Sequence, residues 1–202
     1  GVLFDTKLNF SFHVDSIIKK ANQSLGFLLR NTIRLYDINT FKSLYCAFVR
    51  SHLEYCCQIW FPNKKASQRI ERVQARFVRS LFYRLNGFYP SFPHQISYHQ
   101  LLFHLDLESL ANRRTKQDLK FLHKLLNFSF HTSDLLEMIK LHVPYSRLRT
   151  HPRPLFSSSF PSGSNLARIT TTFNTFHREL DIFSNANTFQ QSVEDILRIV
   201  EE

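Results

Sequence analysis

Glycine is scarce in this chain: Gly1, Gly26, Gly87 and Gly163 are its only four, and each stands alone. A Walker loop or a dinucleotide fingerprint needs clustered glycines whose backbone can close on phosphate, so neither exists here. Cysteine is scarcer still. Cys46, Cys56 and Cys57 are odd in number and lie inside one apolar helical pattern, which argues against a disulfide framework and for a reducing compartment. Together with His52 they match no common zinc spacing, and none of the ten histidines falls in H-E-x-x-H, so no metal site is expected. Acid is also short, at 16 Asp and Glu against 26 Lys and Arg. The adjacent acids, Glu194-Asp195 and Glu201-Glu202, sit on a terminal helix where ordinary solvation explains them, so the carboxylates that two-metal phosphoryl chemistry requires are missing. No serine lies in G-x-S-x-G. No catalytic residue is therefore assigned. No apolar run approaches 18 residues; the densest, residues 44–61, is broken by Arg50, His52 and Glu54, and neither a basic-then-apolar leader nor a lipidation motif appears, so no membrane partner is expected.

What the chain has is positive charge, unevenly placed. The formal total is +10, and residues 1–90 hold 14 Lys and Arg against 5 Asp and Glu, leaving 12 against 11 beyond. The first part carries the polyanion signal. Its sharpest feature is the helix-like run 65–85, where Lys65, Arg69, Arg72, Arg76 and Arg79 recur at steps of 4, 3, 4 and 3. At about 100° per residue the five cations fall within an arc of roughly 80°, with Ile70, Val73, Phe77, Leu81 and Leu85 on the adjacent, roughly opposed side. Fourteen residues at about 1.5 Å each make a rail roughly 21 Å long, enough to meet several successive phosphates. One acid, Glu71, interrupts the run, too few for i,i+4 pairing to account for the cations. Lys19, Lys20, Arg30 and Arg34 on the first helical pattern widen the basic surface.

Organisation follows from the apolar period. Residues 1–4 read as a short buried strand with a turn after it, entered directly at Gly1, as in a piece cut from something longer. Helices are expected over residues 12–33, with Ser11 as cap, over 39–61, ended by Pro62, and over 65–85, making a small bundle. Asn86-Gly87 punctuates the boundary, with a linker at 88–96. Further helices follow over 99–103, 107–128, 133–141, 166–180 and 188–200. The fold class is mainly α: residues 1–87 form the strand and a three-helix bundle, and residues 88–202 a smaller helical extension with a Pro/Ser-rich loop at 144–164. Most of the 21 phenylalanines occupy core positions of these patterns.

Within residues 44–79, Leu44-Tyr45, Val49-Arg50-Ser51, Leu53-Glu54-Tyr55, Trp60 with Pro62, Ile70-Glu71, Val73-Gln74, Phe77 and Arg79 form a pattern that resembles the region just after the palm in non-LTR retrotransposon reverse transcriptases of the jockey-like group. Gly1-Val2-Leu3-Phe4-Asp5, with Leu8 and Phe10, is similar to that family's end-of-palm strand. Residues 22–29 are similar to its first thumb helix. Leu107-Glu108-Ser109-Leu110, Arg113-Arg114 and residues 121–127 look like its C-terminal extension, which Arg168 and Asn174 continue faintly.

The resemblance implies that the first 85 residues are a thumb that grips template and primer, part of an RNA-directed DNA polymerase. The catalytic aspartates of that family lie on the palm, upstream of Gly1, and are missing here. It implies a non-catalytic fragment of a transposable element's polymerase, inactive alone, with an RNA/DNA hybrid or duplex and the parent's palm and fingers as partners. No cofactor is expected in these residues, the Mg2+ implied by the resemblance belonging to the missing palm, and an active parent would place it in the nucleus or cytoplasm. Lys65, Arg69, Arg72, Arg76 and Arg79 are the expected phosphate contacts, since a sliding duplex must be held by its backbone and not by base edges. The alternative is a stand-alone helical adaptor, a protein-interaction domain derived from such an element.

Overall fold

Asn63 begins the longest helix: its side-chain oxygen accepts the Ala66 N–H at 2.9 Å, supplying one of the partners that a helix start lacks. The helix runs for 23 residues and closes at Gly87, whose φ of 75° gives the left-handed C-cap open to a residue without Cβ. A computed structural model describes residues 1–6, 8–34, 37–90, 96–127, 132–141, 156–157 and 164–201. Its helices are α1 (Ser11–Asn31), α2 (Ile38–Tyr45), a π-helical turn (Cys46–Arg50), α3 (Ser51–Glu54), α4 (Lys64–Asn86), α5 (Tyr98–His104), α6 (Leu110–Leu126), α7 (Ser133–Met138), α8 (Asn165–Phe176) and α9 (Ala186–Glu201). The chain is mainly helical.

Two compact units result, Gly1–Arg113 and Arg114–Glu202. The sequence reading divides the chain after residue 87, but α5 belongs with the first unit because Leu101, Leu102 and Leu105 enter the core built by α1, α2 and α4. Lys42 Nζ also donates to the Leu105 carbonyl at the end of α5.

In the first unit α4 buries Ile70, Val73, Phe77, Val78, Leu81 and Phe82, each contributing roughly 2 kcal/mol when fully removed from water. Phe77 stacks on Tyr45 with ring centroids 3.9 Å apart and meets Phe41 at 5.1 Å. Leu85, expected on that apolar face, is 48% exposed.

Two local expectations need correction, and the strand expected over residues 1–4 is not seen. Residues 1–5 carry no regular secondary structure, and no sheet forms among the described residues; with no strand edge beside it, the Leu3 N–H donates to His13 Nδ1 at 3.3 Å instead. Ser11 is the first residue of α1 and not its cap: Phe10 holds that position, and the Ser11 hydroxyl donates to Asn9 Oδ1 at 2.6 Å. The helix expected over 39–61 is not continuous. Its π turn adds a residue to the ring of hydrogen bonds and shifts the register, leaving Phe48 58% exposed. The helix then stops at Glu54, where Cys56 takes φ of 52° and Trp60 turns into the core, fully buried, donating from Nε1 to the Tyr55 carbonyl at 2.8 Å.

The second unit packs Leu119, Leu122, Ile169, Phe173, Phe189 and Val193 around a common core. Asp118 pairs with Arg168 there, and His123 stacks on Phe189 at 4.3 Å. Asn174 brackets Phe156, accepting its N–H and donating to its carbonyl, both at 3.0 Å. The Pro/Ser-rich loop at 144–164 lies outside the described residues except for Phe156, Ser157 and Ser164.

Candidate nucleic-acid interface

The five expected contact residues all project from α4, and all five are exposed. They do not have equal surroundings. Arg69 Nη1 lies 2.7 Å from Asp15 Oδ1, an exposed ion pair across to α1, and Arg76 Nη1 donates to Asn22 Oδ1 at 2.9 Å. Lys65, Arg72 and Arg79 make no hydrogen bond or ion pair among the described residues. Seven-residue spacing explains the division: 69 and 76 fall on the edge of the arc nearest α1, while 65, 72 and 79 run along its middle and far edge.

The acids within these two helices are both engaged. Asp15 holds Arg69. The Glu71 carboxylate accepts the Ala111 N–H at 2.7 Å, satisfying a donor in the first turn of α6, and accepts the Tyr98 hydroxyl at 2.8 Å. Anions brought to Lys65, Arg72 and Arg79 therefore meet no competing carboxylate from α1 or α4.

Behind the rail lies a polar network that fixes the roll of α4. Gln74, 1% exposed, accepts the Tyr45 hydroxyl at 2.8 Å and donates to the Tyr98 hydroxyl at 3.1 Å and the Glu108 carbonyl at 2.7 Å. Every polar atom of its amide is used. Burial pushes the Tyr45 hydroxyl pKa well up, and burial with the neighbouring Glu71 charge does the same for Tyr98, so both stay neutral donors. Nearby, Arg113 grips Glu54 with two nitrogens, Nη2 to Oε2 at 3.0 Å and Nε to Oε1, which raises the arginine pKa further.

Arg84, on the same helix but outside the rail, donates to the Thr32 carbonyl at 2.8 Å, closing the C-terminus of α1, and lies 3.9 Å over the Phe41 ring. Spacing alone gave no sign of that role. Cys57 is buried and Cys46 and Cys56 are partly so; none of the three is in a disulfide. Among the described residues, no helix is long and apolar enough to cross a membrane.

No protein-family model and no solved structure matches this chain. Among curated proteins it is similar to an uncharacterized protein of Caenorhabditis elegans, 26% identical over 135 residues, which are 66% of this chain and 65% of that protein. The chain thus matches just under two thirds of that relative's length.

Proposed function

We propose that the first unit grips a nucleic-acid duplex through its phosphates, as the thumb of an RNA-directed DNA polymerase of the non-LTR retrotransposon kind, and that the active site lies elsewhere in the parent protein. The observation that carries this reading is the exposed rail of α4, where Lys65, Arg72 and Arg79 have no partner among the described residues while the acids of α1 and α4 are engaged. Phosphate binding releases condensed counterions, so each neutralised phosphate contributes about 0.9 to the slope of log K against log salt. The palm and fingers would supply the metal-dependent chemistry; the rail supplies position.

The test is binding of the full chain to a blunt RNA/DNA hybrid over a range of salt. Lys65→Gln with Arg72→Gln and Arg79→Gln is expected to weaken binding alike for every sequence and to make the slope shallower by roughly 2 to 3. An unchanged slope in that variant refutes the reading.

A helical adaptor is the competing reading, and one observation favours it. A groove of about 410 Å³ between α1 and the α2–π segment is lined by Phe27, Leu28, Leu44 and Phe48, with both phenylalanines more than half exposed. An adaptor would bind the hybrid weakly and with no dependence on the rail.

A further inference from the structure

The cross-links between α1 and α4 establish their register. Asp15 meets Arg69, Asn22 meets Arg76 and Thr32 meets Arg84, so residue numbers rise together and differ by 54, 54 and 52. The two helices run parallel. On α1, Asp15, Lys19, Asn22, Gly26 and Arg30 recur at steps of 4, 3, 4 and 4, an arc of roughly 80° at about 100° per residue. Because Asp15 and Asn22 on this stripe touch the rail, the stripe as a whole borders it. Lys19 and Arg30, both exposed, are therefore carried along the same border.

The register places Lys19 level with residue 73, beside Arg72. Arg30 lies farther along, but its side chain turns back over Gly26: a Cβ built on that glycine would stand 3.2 Å from Arg30 Nη1. Gly26 is level with residue 80, which brings the Arg30 guanidinium toward Arg79. Two pairs of like charge thus flank the α1–α4 seam on its solvent side, about seven residues apart along each helix, roughly 10 Å at 1.5 Å per residue. Packed helices lie about 8 to 10 Å apart, within reach of two long basic side chains converging on one anion.

We propose that the site is a two-walled phosphate track between α1 and α4, with Lys19 and Arg30 as one wall and Arg72 and Arg79, continued by Lys65, as the other. Arg69 and Arg76 have a different role. Held by Asp15 and Asn22, they are positioning residues that set the spacing of the walls. One strand of the duplex lies along the track, and successive cation pairs meet phosphates about three nucleotides apart at 3.4 Å of rise each. Lys20 and Arg34, also exposed on or just beyond α1, stand off the stripe and outside the track.

This inference rests on the duplex-binding reading, and the experiment separates the two. Salt-dependent binding of the full chain to a blunt RNA/DNA hybrid is measured for three double variants. Lys19→Gln with Arg30→Gln is expected to flatten the slope by roughly 2, as is Arg72→Gln with Arg79→Gln, whereas Lys20→Gln with Arg34→Gln leaves it within about 0.5. Circular dichroism and the urea midpoint of each variant show that the bundle is intact. A slope unmoved by the Lys19 and Arg30 changes, or moved as much by Lys20 and Arg34, overturns the second wall while the rail stands. A slope unmoved by the Arg72 and Arg79 changes overturns the duplex reading itself.

Discussion

Replacing Gln74 by Leu keeps the size of the side chain and deletes its polar atoms, which isolates the value of the network behind the rail. The Tyr45 hydroxyl, in a residue with no exposed surface, loses its acceptor, and the Glu108 carbonyl loses a donor held at 2.7 Å. Tyr98 keeps Glu71. A buried polar group stripped of its partner costs about 1 to 3 kcal/mol, so Gln74→Leu is expected to destabilise the first unit by about 2 to 4 kcal/mol. Tyr45→Phe in the same chain removes the stranded hydroxyl and should recover about 1 to 2 kcal/mol, giving a coupling of that size in a double-mutant cycle. Urea unfolding followed through Trp60 is the assay. This is the only tryptophan, fully buried in the first unit, so its fluorescence follows that unit separately from the second. A loss below about 0.5 kcal/mol, or strict additivity with Tyr45→Phe, would show that the network does not hold α4 in place.

Three further outcomes are expected. Glu54→Gln should cost about 2 kcal/mol by the same Trp60 transition, because it leaves the half-buried Arg113 guanidinium without its charged two-point partner; Arg113→Lys should cost nearly as much, since an ammonium cannot reproduce the fork. His13, 2% exposed, has its pKa lowered chiefly by burial, with the Lys20 charge acting in the same direction. The unfolded chain takes up the proton near pH 6.5 while the folded chain resists, so this stability is complete above 6.5 and is lost as pH falls toward the folded value. Relative to His13→Gln, the native chain should therefore lose stability between pH 7 and 5.5, by no more than about 1.4 kcal/mol per pH unit; parallel urea midpoints in the two chains would refute this.

The helical architecture was legible because the apolar period is strong: α4 was expected over 65–85 and spans Lys64–Asn86, bounded by Pro62 and Asn86-Gly87. The break after Glu54 was not legible. Apolar residues continue on both sides of it through Trp60 and Phe61, and nothing in their spacing tells a helix that runs on from one that turns so that Trp60 can enter the core. The arc of the rail was likewise readable from steps of 3 and 4. Its division into held and partner-free cations was not, because that depends on the register of a second helix 54 residues away.

Several polar residues of the 44–79 pattern act through each other or through the segments just beyond it in the fold. Tyr45 pairs with Gln74, Glu54 with Arg113, and Glu71 with Tyr98 and the start of α6. None of these groups belongs to the rail, yet they govern it. Gln74 and Glu71 leave α4 on the sides turned from the cations, so their bonds to α2, α5 and the segment before α6 fix the roll angle of the helix. At about 100° per residue, a change of roll by one residue would bring Val73 or Glu71 where Arg72 stands. The network and the rail are then two readouts of a single rotation. If duplex binding is the function, Gln74→Leu at a urea concentration well below its midpoint should weaken hybrid affinity without touching a cation, and Tyr45→Phe added to it should not restore binding, since removing the stranded hydroxyl recovers stability but not the angle. Recovery of affinity in step with stability would place the effect in the folded fraction alone and leave the orientation of the rail to the apolar core.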